Sequence, residues 1–310
     1  MIVVDDGSRD DSAAVAERLG ARVLRMVGRS GPAAARNRGA REARGEIVVF
    51  IDADCEANPE TFRRLRAVFQ SDPSPDAAFG SYDDAPVAPT LVSQFKNLLH
   101  HYTHQTANRS ASTFWAGCGA IRRAVFLEAG GFDEVKFDRP SIEDIDLGVR
   151  LVRAGRQIVL DPAITVRHHK RWTLRSMIRT DVFDRAIPWT RLMHESGNIP
   201  IDLNLRLHNR LSAVLIVAGI VALLISVRVG THWTFPAAAI AFGVATVLNL
   251  DLYRFFARKR GVSFLLAAVP LHFLYYVYSV AGYVAGIVVH RFSSGTRRST
   301  SIPPGSARKR

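Results

Sequence analysis

Three stretches in the last third of the sequence are almost free of charged residues: 211–227, 233–250 and 264–289. Each is close to the ~20 residues that cross a bilayer as a helix, whereas the core helix of a soluble protein rarely needs so long an apolar run. The sequence therefore predicts about three membrane-spanning helices within residues 211–290, the third long enough to tilt or to bend at Pro270. The alternative is a buried helical subdomain.

The distribution of basic residues supports membrane association. The net charge is +13, and many of the 41 lysines and arginines lie before the first apolar stretch, between Arg254 and Arg260, and in a tail at 291–310 that we expect to be disordered. This placement suits the anionic cytoplasmic face of a membrane. Nucleic acid is not a predicted partner, because the sequence contains no recognition module and no zinc-ligand spacing.

Two features predict the location of the polar part of the chain. No cleavable signal precedes it, so we expect a multi-pass protein of the inner (cytoplasmic) membrane whose polar domain faces the cytoplasm. Cys55 and Cys118 give no disulfide framework, which fits a reducing compartment. Three spans from a cytoplasmic start would leave the basic tail outside, against the positive-inside rule, so either the span count or the tail is an exception.

The first ninety residues alternate strand and helix patterns. Strands are predicted at 1–4, 21–26 and 47–51, and the intervening helices begin near Ser12 and at Pro32. Such a succession with short connections indicates an α/β fold with a parallel sheet covered on both faces. Ligands of such sheets bind at the carboxyl ends of the strands.

Acidic residues follow two of these strands. Asp5 and Asp6 follow the first, and Asp52 and Asp54 follow the third. Two carboxylates one residue apart can meet a hard divalent cation, which proteins hold by one or two carboxylates together with phosphate oxygens of a substrate. The alternative is an acidic turn without a ligand, because a D-x-D triplet alone is weak evidence.

Two helices carry further residues typical of a ligand site. Arg36 and Asn37 lie on the helix before the third strand, where a guanidinium and an amide could contact phosphate or ribose. Their alternative is a solvated helix face. Glu143 and Asp144 begin a later helix, where a carboxylate is either a helix cap or a general base near a metal-bound diphosphate.

Six motifs in one order resemble a known family: "VVDDGSRDDS", "GPAAARNRGAREARGE", "FIDADC", "GCGAIRRAVFLEAGGFDE", "EDIDLGVRL" and "HHKRW". They are similar to those of the inverting family 2 glycosyltransferases of the GT-A fold, over most of the first 190 residues. The resemblance implies a Rossmann-like GT-A catalytic domain at 1–170, followed by an amphipathic interface helix and linker at 171–210 and the membrane helices.

The resemblance also implies roles for the acidic residues. Asp5 and Asp6 would lie by the base and ribose of a nucleotide-diphosphate sugar donor, Asp52 by the ribose or the metal, and Asp54 on a Mg or Mn ion. Asp144 would accept the proton of an acceptor hydroxyl while the metal offsets charge on the leaving group. A single displacement of this kind inverts the sugar.

One departure from the family pattern concerns the segment "HHKRW". Processive members resemble Q-x-x-R-W, whereas His168 stands in the Gln position, which favours a non-processive enzyme that adds one sugar. His168 is either a ligand of metal or phosphate, as implied for non-processive relatives, or a polar strand end. The residues predicted for the acceptor or sugar region are Trp115, Gly117, Gly131, Arg171 and Trp172.

The second departure is at the first residue. Family members begin with another strand and a loop that covers the nucleotide base. We therefore expect Met1 to be an internal position of the natural reading frame, preceded by a strand, a loop and a helix of roughly 30 to 40 residues. The strand at 1–4 should then be interior and buried on both faces.

An amphipathic pattern follows the predicted catalytic domain. Apolar residues recur at helical spacing between 174 and 182, and a basic stripe four residues apart consists of Arg171, Arg175 and Arg179. With Trp172 and Trp189 nearby, we expect this helix to lie in a membrane interface and to hold the active site near a lipid-linked or membrane-proximal acceptor. The alternative is an ordinary helix packed on the catalytic domain.

Two hypotheses of different classes remain. The first is a membrane-anchored glycosyltransferase, which the acidic motifs favour. The second is a non-catalytic membrane-anchored relative whose incomplete nucleotide-binding domain binds a partner. Nucleotidyl transfer is a weaker third, because its Gly-rich, Lys-bearing phosphate loop is not seen.

Overall fold

The computed structural model describes residues 1–197, 203–230 and 232–298, with side chains up to residue 292. The strands are β1 Ile2–Asp5, β2 Arg22–Arg25, β3 Ile47–Ile51, β4 Cys55–Ala57, β5 Ala77–Tyr82, β6 Cys118–Arg122 and β7 Ile158–His168. The helices are α1 Ser12–Arg18, α2 Gly31–Glu42, α3 Pro59–Ser71, α4 Leu91–Gln105, α5 Arg123–Glu128, α6 Glu143–Arg153, α7 Leu174–Arg179, α8 Ile187–Ser196, α9 Leu207–Val229, α10 Thr234–Leu248 and α11 Leu250–Arg298. A π-helical segment, Thr180–Ala186, joins α7 to α8, and Leu203–Leu205 form a 3₁₀ helix.

The strands pair differently from the predicted parallel sheet. β1 pairs with β2 in parallel, but β3 pairs antiparallel with β6, which comes much later in the chain. The larger sheet has the order β3-β6-β5-β7-β4, in which β5 and β7 are parallel and the other described pairs are antiparallel. The prediction of one parallel sheet was wrong because an apolar strand accepts any neighbour with a matching apolar face. All four residues of β1 are half-buried rather than fully buried as predicted.

The larger sheet is covered on both faces, and its strands alternate between the two cores. On β3, the Phe50 ring is tilted against Phe126, with centroids 5.4 Å apart, and packs edgewise against Phe132, with centroids 5.3 Å apart. Ile47 and Ile51 of the same strand face the other core, where Leu65 of α3 is buried. Full burial of each such side chain contributes about 1.5–3 kcal/mol. The third strand is therefore held rigidly from both sides, and Asp52 follows directly after it.

A close contact positions helix α6. A side chain on Gly148 would place its Cβ 2.2 Å from the backbone nitrogen of Phe114 and 2.5 Å from the carbonyl carbon of Thr113. Glycine thus lets α6 lie directly against the 113–117 segment. This contact brings the first turn of α6, with Glu143 and Asp144, next to the end of β3.

The C-terminal helices include two that are long and apolar enough to cross a membrane, α9 with 23 residues and 250–292 within α11 with 43. α10, where the second span was predicted, has 15 residues, which at 1.5 Å per residue span about 22 Å, less than the ~30 Å hydrocarbon core. α11 is broken at Gly261 (φ 83°). Of the tail predicted to be disordered, residues 291–298 continue α11 and the remainder lies outside the described residues.

The predicted interface segment is packed on the rest of the protein. Met177 is fully buried in a cluster shared by α4 and α11, together with Trp172. Glycines of α11 allow close packing, since a Cβ on Gly282 would lie 2.7 Å from the Cβ of Ala186 and one on Gly286 would lie 2.6 Å from the Cβ of Thr190. The apolar side of this segment therefore packs against protein, as the alternative describes, and its location in a membrane interface stays a prediction.

Candidate active site

Arg36 connects two acidic segments at the edge of the larger sheet. Its Nη2 donates to Oδ1 of Asp52 at 2.6 Å and its Nη1 donates to Oε1 of Glu143 at 2.7 Å. The Glu143 side chain is 6% exposed, so this pair is buried. Burial opposes the charge of Arg36, but the two carboxylates outweigh it and hold its pKa above the ordinary value. Arg36 thus joins the end of β3 to the first turn of α6, and its predicted contact with the donor stays a prediction.

Asp144 lies beside this ion-pair network. Its Oδ2 accepts a hydrogen bond from the backbone N–H of Ala116 at 3.1 Å, and its Oδ1 accepts one from the N–H of Ile145 at 2.8 Å. Burial, and next the negative charge of Glu143, raise the pKa of Asp144 to about 7, although Arg36 acts in the opposite direction. A half-buried carboxyl with a pKa near neutrality can act as a general base.

Asp54 and His168 form a second pair. Nε2 of His168 lies 3.6 Å from Oδ2 of Asp54, whose side chain is 42% exposed. His168 itself is 3% exposed and stacks on Tyr82, with ring centroids 4.1 Å apart. The nearby His168 ring lowers the pKa of Asp54. The pairing of β4 with β7, which aligns Cys55 with His168, brings these residues together.

The donor set fits a divalent cation that is shared with a substrate. Within the described part of the chain, no three His, Cys, Asp or Glu side chains are grouped to hold a metal on their own. Asp54 and His168 offer one carboxylate and one imidazole, while Asp52, predicted as a further ligand, has its Oδ1 bound by Arg36. Hard cations are commonly held by one or two protein groups and by phosphate oxygens. Asp54 and His168 would be the protein ligands of such a cation.

Gly117, predicted with Trp115 for the acceptor or sugar region, adjoins Asp52. The N–H of Asp52 donates to the carbonyl of Gly117 at 3.2 Å. A Cβ on Gly117 would lie 2.4 Å from the Trp115 indole, so only glycine fits beneath that ring. The indole packs edgewise on Tyr82 at 4.9 Å and is partly exposed.

Two predicted donor residues have structural contacts instead. Asp6 accepts hydrogen bonds from the backbone N–H groups of Ser30 and Gly31, at 2.6 and 2.8 Å, and so fixes the start of α2. Asn37 is buried and exchanges two hydrogen bonds with the backbone of Phe132, at 2.8 and 2.9 Å. These polar groups are paired within the protein, and the predicted donor contacts of Asp6 and Asn37 stay predictions.

Three other predicted residues lie as follows. Asp5 accepts a hydrogen bond from the N–H of Ser8 at 2.8 Å and is otherwise half-exposed. Gly131, predicted in the sugar region, adopts φ +70° and packs on Asn37, where a Cβ would lie 2.5 Å from Oδ1. Its role in the structure is thus a tight turn. Arg171 is exposed at the end of the "HHKRW" segment.

Two residues of this region were not predicted from the sequence. Tyr82 stacks on His168 at the end of β5, and no motif indicated that β5 would pair with β7. Arg185 lies on the π-helical segment and lines a small cavity together with Tyr82 and His168. Asp181 and Arg185 are four residues apart, a spacing that places two side chains on the same face of a helix and that is visible in the sequence.

The mixed sheet with its acidic edge, followed by apolar helices, defines a GT-A glycosyltransferase domain with a C-terminal helical region. A mannosyltransferase of Pyrobaculum calidifontis, solved in complex with GDP-mannose and Mn²⁺, shares this fold. It aligns with a TM-score of 0.56 and 16% identity over 92% of this chain and 77% of its own.

The family assignment comes from the sequence comparison. Residues 1–130 match the family model of glycosyl transferase family 2, in agreement with the resemblance of the motifs. The pre-mycofactocin glycosyltransferase of Mycobacterium tuberculosis is 30% identical over 201 residues, covering 59% of this chain and 40% of the relative. An N-acetylglucosaminyl-diphospho-decaprenol L-rhamnosyltransferase of the same organism is 39% identical over 66 residues, 21% of each chain. The chain thus spans about two fifths of the length of the first relative.

Proposed function

We propose that the protein is a membrane-anchored, inverting and non-processive glycosyltransferase. It transfers one sugar from a nucleotide-diphosphate donor to a hydroxyl of a lipid-linked or membrane-proximal acceptor. Asp144 takes the proton of that hydroxyl as the sugar carbon is attacked from the face opposite the diphosphate. A Mg or Mn ion at Asp54 and His168 would supply charge stabilisation for the leaving diphosphate.

The environment of Asp144 is the observation that carries this proposal. Its carboxyl is oriented by the Ala116 N–H, and its pKa is raised to about 7 by burial and by Glu143. Helix α6 holds it beside Asp52, the residue that follows β3. A carboxyl whose pKa is raised by burial and by a neighbouring carboxylate is typical of catalytic acids and bases.

The donor and the cation have separate support. The Pyrobaculum calidifontis mannosyltransferase, which shares the fold, was solved with GDP-mannose and Mn²⁺. In this chain, Asp54 remains 42% exposed next to the ordered His168, so its oxygens are accessible to a ligand from solution. The lowered pKa of Asp54 keeps the carboxylate charged at neutral pH.

The acceptor side is supported by the C-terminal helices. The cluster around Met177 places the catalytic domain directly on α11, one of the two helices long enough to cross a membrane. The name of the rhamnosyltransferase relative describes a diphospho-decaprenol acceptor. His168, in place of the Gln of processive enzymes, favours addition of a single sugar.

A donor screen tests the activity. The detergent-solubilised protein is incubated with UDP-, GDP- and dTDP-sugars, with Mn or Mg, and the release of nucleoside diphosphate is measured with and without a membrane lipid extract. We expect metal-dependent release from one donor, stimulated by the extract, with the anomeric configuration of the product inverted by NMR. Absence of both donor binding and release would instead support the non-catalytic alternative.

The membrane location requires its own test. We propose that α9 and α11 anchor the protein in the inner membrane with the catalytic domain on the cytoplasmic face, where Arg254, Arg258 and Lys259 meet anionic lipids. The protein should then resist extraction by alkaline carbonate, and the catalytic domain should be digested by protease in inverted but not in right-side-out vesicles. Extraction into the soluble fraction would contradict the anchor.

A further inference from the structure

One carbonyl of the π-helical segment Thr180–Ala186 lacks the donor that an α-helix would provide. In an α-helix the carbonyl of Asp184 would accept a hydrogen bond from the N–H of residue 188, four positions later. Residue 188 is a proline in the first turn of α8, and proline has no N–H. The carbonyl of Asp184 can therefore accept a hydrogen bond from another part of the fold.

The hydroxyl of Ser141 provides this hydrogen bond. Its Oγ donates to the carbonyl of Asp184 at 2.9 Å, although the two residues are 43 positions apart. The backbone N–H of Ser141 donates to Oε2 of Glu143 at 3.0 Å, while Oε1 of Glu143 accepts from Arg36 at 2.7 Å. Ser141 thus connects the π-helical segment to the buried carboxylate that precedes Asp144.

The π-helical segment is itself held by α4 and α11. The hydroxyl of Tyr278 in α11 donates to Oδ2 of Asp181 at 2.8 Å, and Nζ of Lys96 in α4 donates to Oδ1 at 2.5 Å. A Cβ on Gly282 would lie 2.7 Å from the Cβ of Ala186, so glycine lets α11 touch this segment closely. Both ends of the π-helical segment therefore contact one of the two helices that are long enough to cross a membrane.

We propose that Ser141 is a positioning residue for the transfer reaction, because it holds the first turn of α6 against the π-helical segment and so fixes Glu143 beside Asp144. This inference rests on the proposed function. Ser141 acts through Glu143, whose charge raises the pKa of Asp144 second only to burial. The helical region that packs on α11 thereby controls the environment of the base.

The titration of Asp144 reports its surroundings. The charged side chains that face it from the elements around it are Glu143 on its own helix, Arg36 of α2, Asp52 after β3 and Arg185 of the π-helical segment. Replacing the Ser141 hydroxyl removes none of these charges. A changed titration of Asp144 in such a variant therefore indicates that Asp144 or its charged neighbours have moved.

The pH dependence of S141A tests the proposal. Release of nucleoside diphosphate by the detergent-solubilised full chain is measured with MnCl₂ and the UDP-, GDP- and dTDP-sugars of the donor screen. We expect the midpoint of the kcat/KM profile to fall by about 0.5–1 pH unit, the scale of one hydrogen bond. The plateau value of kcat should fall by about 3- to 10-fold, because the base is displaced, while KM for the donor stays within about twofold.

Three further variants refine this test. S141T keeps the hydroxyl and should recover most of the kcat and the midpoint. P188A should move the midpoint in the same direction as S141A, because its new N–H competes for the carbonyl of Asp184. S71A is the matched control and should behave as the wild type, since the Ser71 hydroxyl also donates to a backbone carbonyl, that of Ala67, at an exposed position of α3.

Thermal unfolding gives a second readout that requires no activity. The midpoint of unfolding should decrease between pH 5 and pH 7, and D144N should remove the part of this decrease that belongs to Asp144. In the S141A background that part should be about 20–40% smaller, because Asp144 then titrates closer to the ordinary carboxyl value.

The outcomes separate this inference from the proposed function. If S141A matched S71A in both the kcat/KM profile and the pH dependence of unfolding, Ser141 would have no positioning role. A lower midpoint of unfolding without either pH effect would show a purely structural role and would overturn the proposal as well. A wild-type profile for P188A would contradict the contact through the Asp184 carbonyl. If the wild-type protein released no nucleoside diphosphate, the proposed function would fail, while the unfolding measurement would still test Ser141.

Discussion

His168 lies with its Nε2 3.6 Å from Oδ2 of Asp54, although the two residues belong to distant parts of the chain. The three-residue strand β4 produces this contact by pairing with the end of β7. The carbonyl of Asp54 also accepts the backbone N–H of His169 at 2.8 Å, which fixes the loop that carries the carboxylate. A short edge strand thus builds the candidate cation site.

Replacing Asp54 by alanine should abolish metal-dependent release of nucleoside diphosphate and leave the fold intact. An exposed carboxylate contributes little to stability, about 0.5 kcal/mol or less. The measurement is the rate as a function of Mn concentration, together with the midpoint of thermal unfolding. Glu56→Ala is the matched control, since Glu56 lies on β4, two residues after Asp54, and its carboxylate contacts the exposed side chain of His169. Equal rates for Asp54→Ala and Glu56→Ala would remove Asp54 from the site.

Replacing Asp144 by asparagine keeps the size of the side chain but removes its ability to accept a proton. Transfer should fall by about 100- to 10,000-fold, typical of a lost general base, while the dissociation constant for the nucleotide sugar changes little. Single-turnover rates and calorimetric binding constants check this. A parallel loss of donor binding would indicate a structural role.

The raised pKa of Asp144 predicts a pH dependence. A base must be deprotonated, so kcat/KM should rise with pH and level off above about pH 7, the pKa of Asp144. Between the ordinary carboxyl pKa and pH 7 the folded state binds more protons than the unfolded state, so stability should decrease as pH rises through that window. Asp144→Asn should remove this decrease. A kcat/KM profile that is flat from pH 5 to 8 would exclude Asp144 as the base.

Replacing Arg36 by methionine should destabilise the protein by about 3 kcal/mol, because the buried carboxylate of Glu143 loses its partner. For a domain of this size that lowers the midpoint of thermal unfolding by about 6–12 °C. A second change, Glu143→Gln, should recover part of the loss since it removes the unpaired charge. Arg38→Met, at an exposed position of the same helix, should have a small effect. If both arginine variants melt alike, the Arg36 network does not stabilise the site.

Replacing Gly148 by alanine should displace α6, because the added Cβ would lie 2.2 Å from the backbone nitrogen of Phe114. We expect a loss of about 1–3 kcal/mol from overpacking. A shift of the Asp144 carboxylate should also lower kcat, by up to about 100-fold for a 1 Å displacement. Gly243→Ala is the control, because no atom lies within 4 Å of its added Cβ in α10. An active Gly148→Ala variant would show that α6 tolerates the shift.

The sequence determined the elements that local chemistry dictates. The strands at 1–4 and 47–51, the helix that begins at Gly31, and the apolar C-terminal helices all follow from residue periodicity and from Gly and Pro signals, which act over a few residues. The order of the motifs also indicated the resemblance to family 2 glycosyltransferases, because six motifs in one order are more specific than any single motif. Asp54, Asp144 and His168 were predicted as site residues on that basis.

The tertiary structure decided which groups meet. Sequence spacing could not show that β3 would pair with β6, that Arg36 would be held between Asp52 and Glu143, or that Asn37 would satisfy the backbone of Phe132. Nor could it place Trp172 in a core shared with α11. Each of these contacts joins residues far apart in sequence, and the choice among partners depends on which apolar faces and buried polar groups the complete fold must satisfy at once.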